Sequence, residues 1–263
     1  MELKDLKYSG IMRSTGKIIR AGNLLADDGK TLVVAMDHGM IGITKGIEFM
    51  ERVIDQVMKG GADAVLINLG AAKRLAPKLS GKLSIVLSIP FDPKYVELAA
   101  KIGADAVKTT YFGKVPLDWS QMEKISEVAE AAEDWGMIYM VEVVPTDESG
   151  KTIYDIEKVK QAARIGAELG GDIVKTAYVG PVSSYKDVVE SCLVPIVVMG
   201  GPKMETVKDL LVMVKESVEA GAIGGAIGRN IWQYENPEKM TRAISAIIHE
   251  GVNIDEALKI LEK

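Results

Sequence analysis

Histidine is nearly absent from this sequence: His38 and His249 are the only two in 263 residues. A zinc-dependent enzyme needs several imidazoles to hold its metal, so this scarcity argues against metal catalysis, and neither a metal nor another cofactor is expected. Cysteine is scarcer still. Cys192 stands alone, which leaves no internal disulfide and suits a reducing cytoplasm. No apolar run is long enough to span a bilayer, and the N-terminal stretch, rich in Lys, Arg and Asp, has no secretory core, so no membrane partner is expected. Basic charge is lacking too: a net charge of -5 gives no footprint for nucleic acid.

Aromatic residues make up only 5% of a chain that is 48% hydrophobic and holds 26 glycines. A core of this kind is built from small aliphatic side chains, as in parallel strands covered by helices. The length matches one (β/α)8 barrel, which runs near ~250 residues, so residues 1–263 are read as a single domain. Residues 1–30 are polar and mixed, with Gly10, Gly16 and Gly22 interrupting any long helix, and are read as an N-terminal extension closing the bottom of the barrel. Beyond them, apolar segments at 32–36, 64–69, 83–89, 104–110, 137–144, 173–178, 195–199 and 222–227 alternate with charged stretches of helical period. Eight such units predict an α/β fold, the all-parallel TIM barrel, with a last helix over 253–261 packed outside. An internal repeat supports this: Ile102-Gly-Ala-Asp-Ala-Val-Lys108-Thr-Thr-Tyr111-Phe-Gly113 echoes Leu169-Gly-Gly-Asp-Ile-Val-Lys175-Thr-Ala-Tyr178-Val-Gly180. Segments four and six thus each bring a lysine to the same height near the C-terminal rim, where such barrels do their chemistry.

A lysine inside an apolar strand must be paired, neutral or covalently used, because an unpaired ion there costs several kcal/mol. The third option is Schiff-base chemistry, in which the free amine attacks a carbonyl. Segment seven ends in Gly200-Gly201-Pro202 and segment eight in Gly228-Arg229-Asn230. Glycines let backbone N–H groups approach an anion, an arginine adds a bidentate donor, and the loops after strands seven and eight are the usual phosphate site of barrel enzymes. A ketose phosphate bound there has its carbonyl two bonds from the ester oxygen, so the nucleophile must come from the adjacent strand six. That favours Lys175 over Lys108. Glu142, inward if Val144 is, falls between the two lysines and is either an acid–base group or half of a structural ion pair with Lys108. Asp37, before His38 at the end of the first segment, is either a ligand for a substrate hydroxyl or a loop cap.

With Val34-Ala-Met-Asp37-His-Gly39, Gly166-Ala-Glu-Leu-Gly-Gly-Asp-Ile-Val-Lys175-Thr, Val197-Val-Met-Gly-Gly-Pro-Lys203 and Gly228-Arg-Asn-Ile-Trp-Gln233, the chain resembles the archaeal-type class I fructose-bisphosphate aldolases and, more closely, the 2-amino-3,7-dideoxy-D-threo-hept-6-ulosonate synthases. These motifs span nearly the whole sequence. The resemblance implies a Schiff base at Lys175, an acid–base or hydroxyl-binding role for Asp37, phosphate held by Gly200, Gly201, Gly228 and Arg229, and a homo-oligomer, a pentamer or decamer. One departure stands out. Where the family has a proton-donating tyrosine before the strand-five proline and an Arg-Gly pair after it, this chain has Val144-Pro145-Thr146-Asp147. Lys108 and Glu142 are similar to the lysine and glutamate that tagatose-bisphosphate-type class I aldolases place on strands four and five, so Glu142 is carried as the substitute acid–base group. The expected activity is that of a metal-independent aldolase acting on a phosphorylated ketose such as fructose 1,6-bisphosphate. The alternatives are the heptulosonate synthase reaction and a sugar-phosphate-binding barrel without catalysis.

Overall fold

Runs of β-branched and aliphatic residues form the strands because they fill a pleated surface covered on both faces. In the computed structural model, which describes Tyr8 and residues 11–262, the strands are β1 (Thr31–Ala35), β2 (Ala64–Asn68), β3 (Ser84–Ser88), β4 (Ala106–Gly113), β5 (Ile138–Pro145), β6 (Ile173–Thr176), β7 (Ile196–Met199) and β8 (Gly224–Ile227). All neighbours are parallel, and β8 closes onto β1 with Thr31 opposite Gly224. The fold is the expected (β/α)8 barrel. β4 and β5 run past their expected ends and stay paired as far as Gly113 and Pro145.

Period-2 alternation splits each strand between two cores. Val33, Ala35, Leu66, Val86, Ala106, Met140, Ile173 and Val197 point into the barrel, while Val34, Val65, Leu87, Val107, Val141, Val174 and Val198 pack under the helices. The inward positions are aliphatic low in the barrel and become polar at the top, where Lys108, Glu142 and Lys175 are buried. The change from aliphatic to ionisable side chains along the same inward face creates the site.

The bottom is closed by α1 (Thr15–Leu24), whose first turn is capped by the Ser14 hydroxyl accepting from Lys17 N. Ile11, Ala21 and Leu24 join the inner core. Gly16 and Gly22 do not break the helix, contrary to expectation. A Cβ at Gly16 would stand 3.0 Å from the Gly136 carbonyl oxygen, so glycine there lets α1 lie directly on the turn before β5; Gly22 meets nothing and costs the helix only about 1 kcal/mol against alanine. Gly10, with residues 1–7 and 9, lies outside the described residues. The last helix, Ile254–Glu262, starts on a reciprocal cap in which Asn253 Oδ1 accepts from Glu256 N and Glu256 Oε2 accepts from Asn253 N. His249 is structural: its two ring nitrogens sit 3.1 Å from Asp28 Oδ2 and from Asp63 Oδ2, at the N-terminal ends of β1 and β2 and so on the opposite side of the barrel from the C-terminal strand ends. Among the described residues no helix is long and apolar enough to cross a membrane.

α1 is held by a buried charge. Lys17 Nζ donates to Asp172 Oδ1 at 2.8 Å and to Glu133 Oε1 at 2.7 Å, and Asp172 also accepts from Tyr139 N at 2.9 Å. Burial outweighs the lysine's attraction and raises the Asp172 pKa. Replacing Lys17 with methionine strands that carboxylate, and about 3–5 kcal/mol of stability should be lost, as when one partner of a buried pair is removed. A urea titration at neutral pH tests this; an unchanged midpoint would mean that the pair does not hold the plug.

Candidate active site

The C-terminal ends of the strands surround a cavity of about 530 Å3, lined by Asp37, Lys108, Glu142 and Lys175 at its floor and by Gly200, Gly201, Gly228 and Arg229 along one side. The eight residues expected at a site are therefore brought together. Register does the work for the floor. β5 and β6 pair Glu142 with Lys175, and β4 pairs Thr110 with Glu142, so Lys108 lies two residues before the position level with Lys175, an offset that strand tilt in a barrel accommodates.

Glu142 is shared. Its Oε1 is 2.7 Å from Lys175 Nζ and its Oε2 is 3.2 Å from Lys108 Nζ. Lys108 continues to Asp37 Oδ2 at 3.0 Å, and it also donates to the Thr110 hydroxyl, which in turn donates to Glu142 Oε2 at 2.8 Å. Of the three ways a strand lysine can exist in an apolar interior, the structure thus gives pairing for both amines. Burial would raise the Glu142 carboxyl, but Lys175 and Lys108 overcome it and the pKa falls below the ordinary value. Burial would likewise depress the Lys108 amine, yet Glu142 and Asp37 hold it above the ordinary value. At Asp37, burial is outweighed by Lys108 and then Lys175, and the pKa drops to about 2.

His38 approaches Asp37 Oδ1 at 3.5 Å, but burial lowers its pKa and this is not an ion pair at neutral pH. Its ring lies edge-on to Trp232, whose indole donates to Ala35 O at 2.9 Å. This packing needs a glycine beside it, since a Cβ at Gly228 would stand 2.5 Å from that same carbonyl oxygen. Gly201 adopts φ 62°, a left-handed conformation natural to glycine. Between the two loops lies Arg229, whose buried Nε has no hydrogen-bond partner among the described residues. Burial pulls its guanidinium below the ordinary pKa without discharging it.

Three supporting residues escaped sequence reasoning. Asn230 is buried and ties the β7 loop to the β8 loop, its Nδ2 donating to Gly200 O at 2.9 Å and Pro202 O at 3.0 Å and its Oδ1 accepting from Met204 N at 2.8 Å. Asn68, ending β2, donates to the Asp37 carbonyl at 2.9 Å. Thr110 bridges Lys108 and Glu142; its position two residues beyond Lys108, hence on the same face, was the available signal. Other polar and basic side chains lie away from the site. Tyr178, just beyond β6, donates to Glu216 Oε2 at 2.7 Å on the outside. Lys45, Lys73, Arg74 and Lys114 are exposed and line no part of the cavity.

An amine beside an acid at the carboxyl rim of such a barrel is the equipment for forming an imine with a carbonyl, and the class these features define is the class I, Schiff-base aldolases. Residues 31–234 match the DeoC/LacD family aldolase, and the chain belongs to that family. It is 34% identical to an uncharacterized aldolase of Saccharolobus solfataricus over 94% of this chain and 99% of the relative. It is 33% identical to 2-amino-3,7-dideoxy-D-threo-hept-6-ulosonate synthase 1 of Archaeoglobus fulgidus, over 93% of this chain and 95% of that protein. Among solved structures, an archaeal fructose-1,6-bisphosphate aldolase with its catalytic Lys covalently bound to the carbinolamine intermediate superposes with a TM-score of 0.77 at 27% identity, covering 88% of this chain and 98% of that one.

The depressed Asp37 pKa has a consequence for stability. A carboxyl lowered from about 3.9 in the unfolded chain to about 2 in the fold contributes stability that is complete above the unfolded value and is lost as pH falls towards the folded one. Denaturant midpoints of the wild type and Asp37→Asn should therefore differ at pH 6, draw together below about pH 4 and meet only as the pH falls through about 2; a gap independent of pH would contradict the ion pair with Lys108.

Proposed function

We propose that the protein makes and breaks a carbon–carbon bond in a phosphorylated ketose through an imine on Lys175. The observation that carries this reading is the sharing of Glu142 by two amines of different standing. Lys108 has two carboxylates and a raised pKa, so it stays an ammonium and cannot attack. Among the described residues Lys175 has only Glu142 within ion-pair distance, at 2.7 Å, and that carboxylate is placed to take its proton. The freed amine adds to the ketone carbon, and the carbinolamine loses water when Glu142 returns the proton to the departing hydroxyl. The resulting iminium draws electrons from the C3–C4 bond. As that bond breaks, the C4 hydroxyl gives up its proton to Glu142, the aldehyde leaves, and the enamine left on Lys175 is protonated at C3 and hydrolysed. Asp37, ionised at neutral pH, accepts a hydrogen bond from a substrate hydroxyl. Val144, at the position of the family's tyrosine, has no proton to give, which puts the acid–base work on Glu142.

Gly200, Gly201, Gly228 and Arg229 form the phosphate end in this reading, supported by the unpartnered guanidinium Nε and the glycine backbone around it. For the substrate, fructose 1,6-bisphosphate has the support of the solved archaeal aldolase; the heptulosonate synthase reaction has that of the Archaeoglobus fulgidus relative, at the higher identity. Assembly into a pentamer or decamer in the cytoplasm belongs to the same reading, supported by large apolar side chains such as Trp119, 86% exposed on the single chain.

Reduction with borohydride in the presence of dihydroxyacetone phosphate should add the mass of the ligand to the peptide bearing Lys175. Glu142→Gln should still be trapped on prolonged incubation yet turn over at least ~10²-fold more slowly, the lower end for a general acid–base group. Undiminished turnover in that variant removes Glu142 from the mechanism. A wild type stabilised thermally by the ligand but never labelled is a binding protein and not an aldolase.

A further inference from the structure

We infer that the carbonyl partner of this aldolase is a short uncharged aldehyde with an apolar tail, received by Phe91 and Phe112 across the cavity from the phosphate loops and by Ile41 from the turn after β1. This deepens the reading of the preceding subsection and rests on it. The first support is a balance of charge. The charged side chains lining the cavity are Asp37, Lys108, Glu142, Lys175 and Arg229, His38 being held neutral by burial. The two carboxylates are in ion-pair contact with the two amines, so among the described residues Arg229 is the one lining cation without an acidic partner. It can serve one phosphate.

The second support is position. In the closed ring of eight strands, β3 and β4 stand opposite β7 and β8, and beyond Ser88, Lys108 and Thr110 near the floor the wall they build is apolar towards the mouth. Ile89, Pro90 and Phe91 follow β3 and Phe112 lies on β4, while Met40 and Ile41 reach in from the turn after β1. Met40 is 73%, Ile41 70% and Phe112 60% exposed, large apolar surface held open at the mouth of a site. A phosphate dianion pressed against it loses its water and gains no cation in return. An aliphatic tail covers the same side chains and gains from leaving water. In the synthetic direction C3 of the enamine on Lys175 attacks the aldehyde carbon. The new bond forms as the carbonyl π bond opens, the alkoxide takes the proton held by Glu142, and water releases the product from Lys175.

The test combines labelling with an acceptor comparison on the intact protein. With dihydroxyacetone phosphate as donor, kcat/KM for propanal should exceed that for D-glyceraldehyde 3-phosphate by at least tenfold. Phe112→Arg, or Ile41→Arg on the exposed turn if the former does not fold, should shift that preference at least tenfold towards the phosphorylated aldehyde. A protein labelled at Lys175 that uses glyceraldehyde 3-phosphate as well as propanal, or whose preference neither arginine moves, overturns the proposal and leaves the imine reading standing. A protein that dihydroxyacetone phosphate does not label under borohydride overturns the imine reading itself, and this proposal with it.

Discussion

One carboxylate between two amines governs this site. Buried like the lysines on either side, Glu142 is held ionised by both of them. An isolated carboxylate or ammonium at this depth would carry a desolvation cost of several kcal/mol; held together as Asp37, Lys108, Glu142 and Lys175, the charges offset one another. The arrangement also differentiates two otherwise equivalent lysines. Lys108, with carboxylates on two sides, is fixed as a cation beside Glu142 and Asp37, whereas Lys175 has a single partner among the described residues, which the proposed mechanism makes its proton acceptor.

The barrel makes this arrangement possible through parity and register. Alternation along β5 turns Met140, Glu142 and Val144 to the same side, and pairing with β6 puts Lys175 opposite the carboxylate. Below them the inward positions are aliphatic and α1 seals the bottom, and the charged layer lines the cavity above. Above them the glycine loops after β7 and β8 gather around Arg229. The site is polar and cationic at one end, neutral in sum at its floor, and apolar on the far wall, an ordering that suits a ligand charged at one end.

Much of this was legible in the order of residues. The strands were visible because β-branched runs alternate with charged helical stretches, and Lys175, Lys108, Glu142 and Asp37 could be collected because all sit near strand ends with inward parity. What could not be read depends on which residues face one another across strands. Thr110 matters because the register sets it opposite Glu142, and Asn230 because a fold that brings two loops together gives its amide three partners; neither fact is encoded within a few residues of the side chain. The N-terminal glycines misled for a related reason. Local propensity counts them as helix breakers, but Gly16 is in a helix because the turn at Gly136 lies too close for any side chain, and tertiary packing decides the matter.

The central claim is a division of labour between two lysines set by how many carboxylates each one meets. A crystal structure of the borohydride-reduced adduct with dihydroxyacetone phosphate examines it directly. The account predicts a covalent bond from Lys175 Nζ to the former carbonyl carbon, the phosphate against Arg229 and the glycine loops, and Lys108 still lying between Asp37 and Glu142. A bond to Lys108, or an adduct whose phosphate rests on the Phe112 side of the cavity, would contradict it.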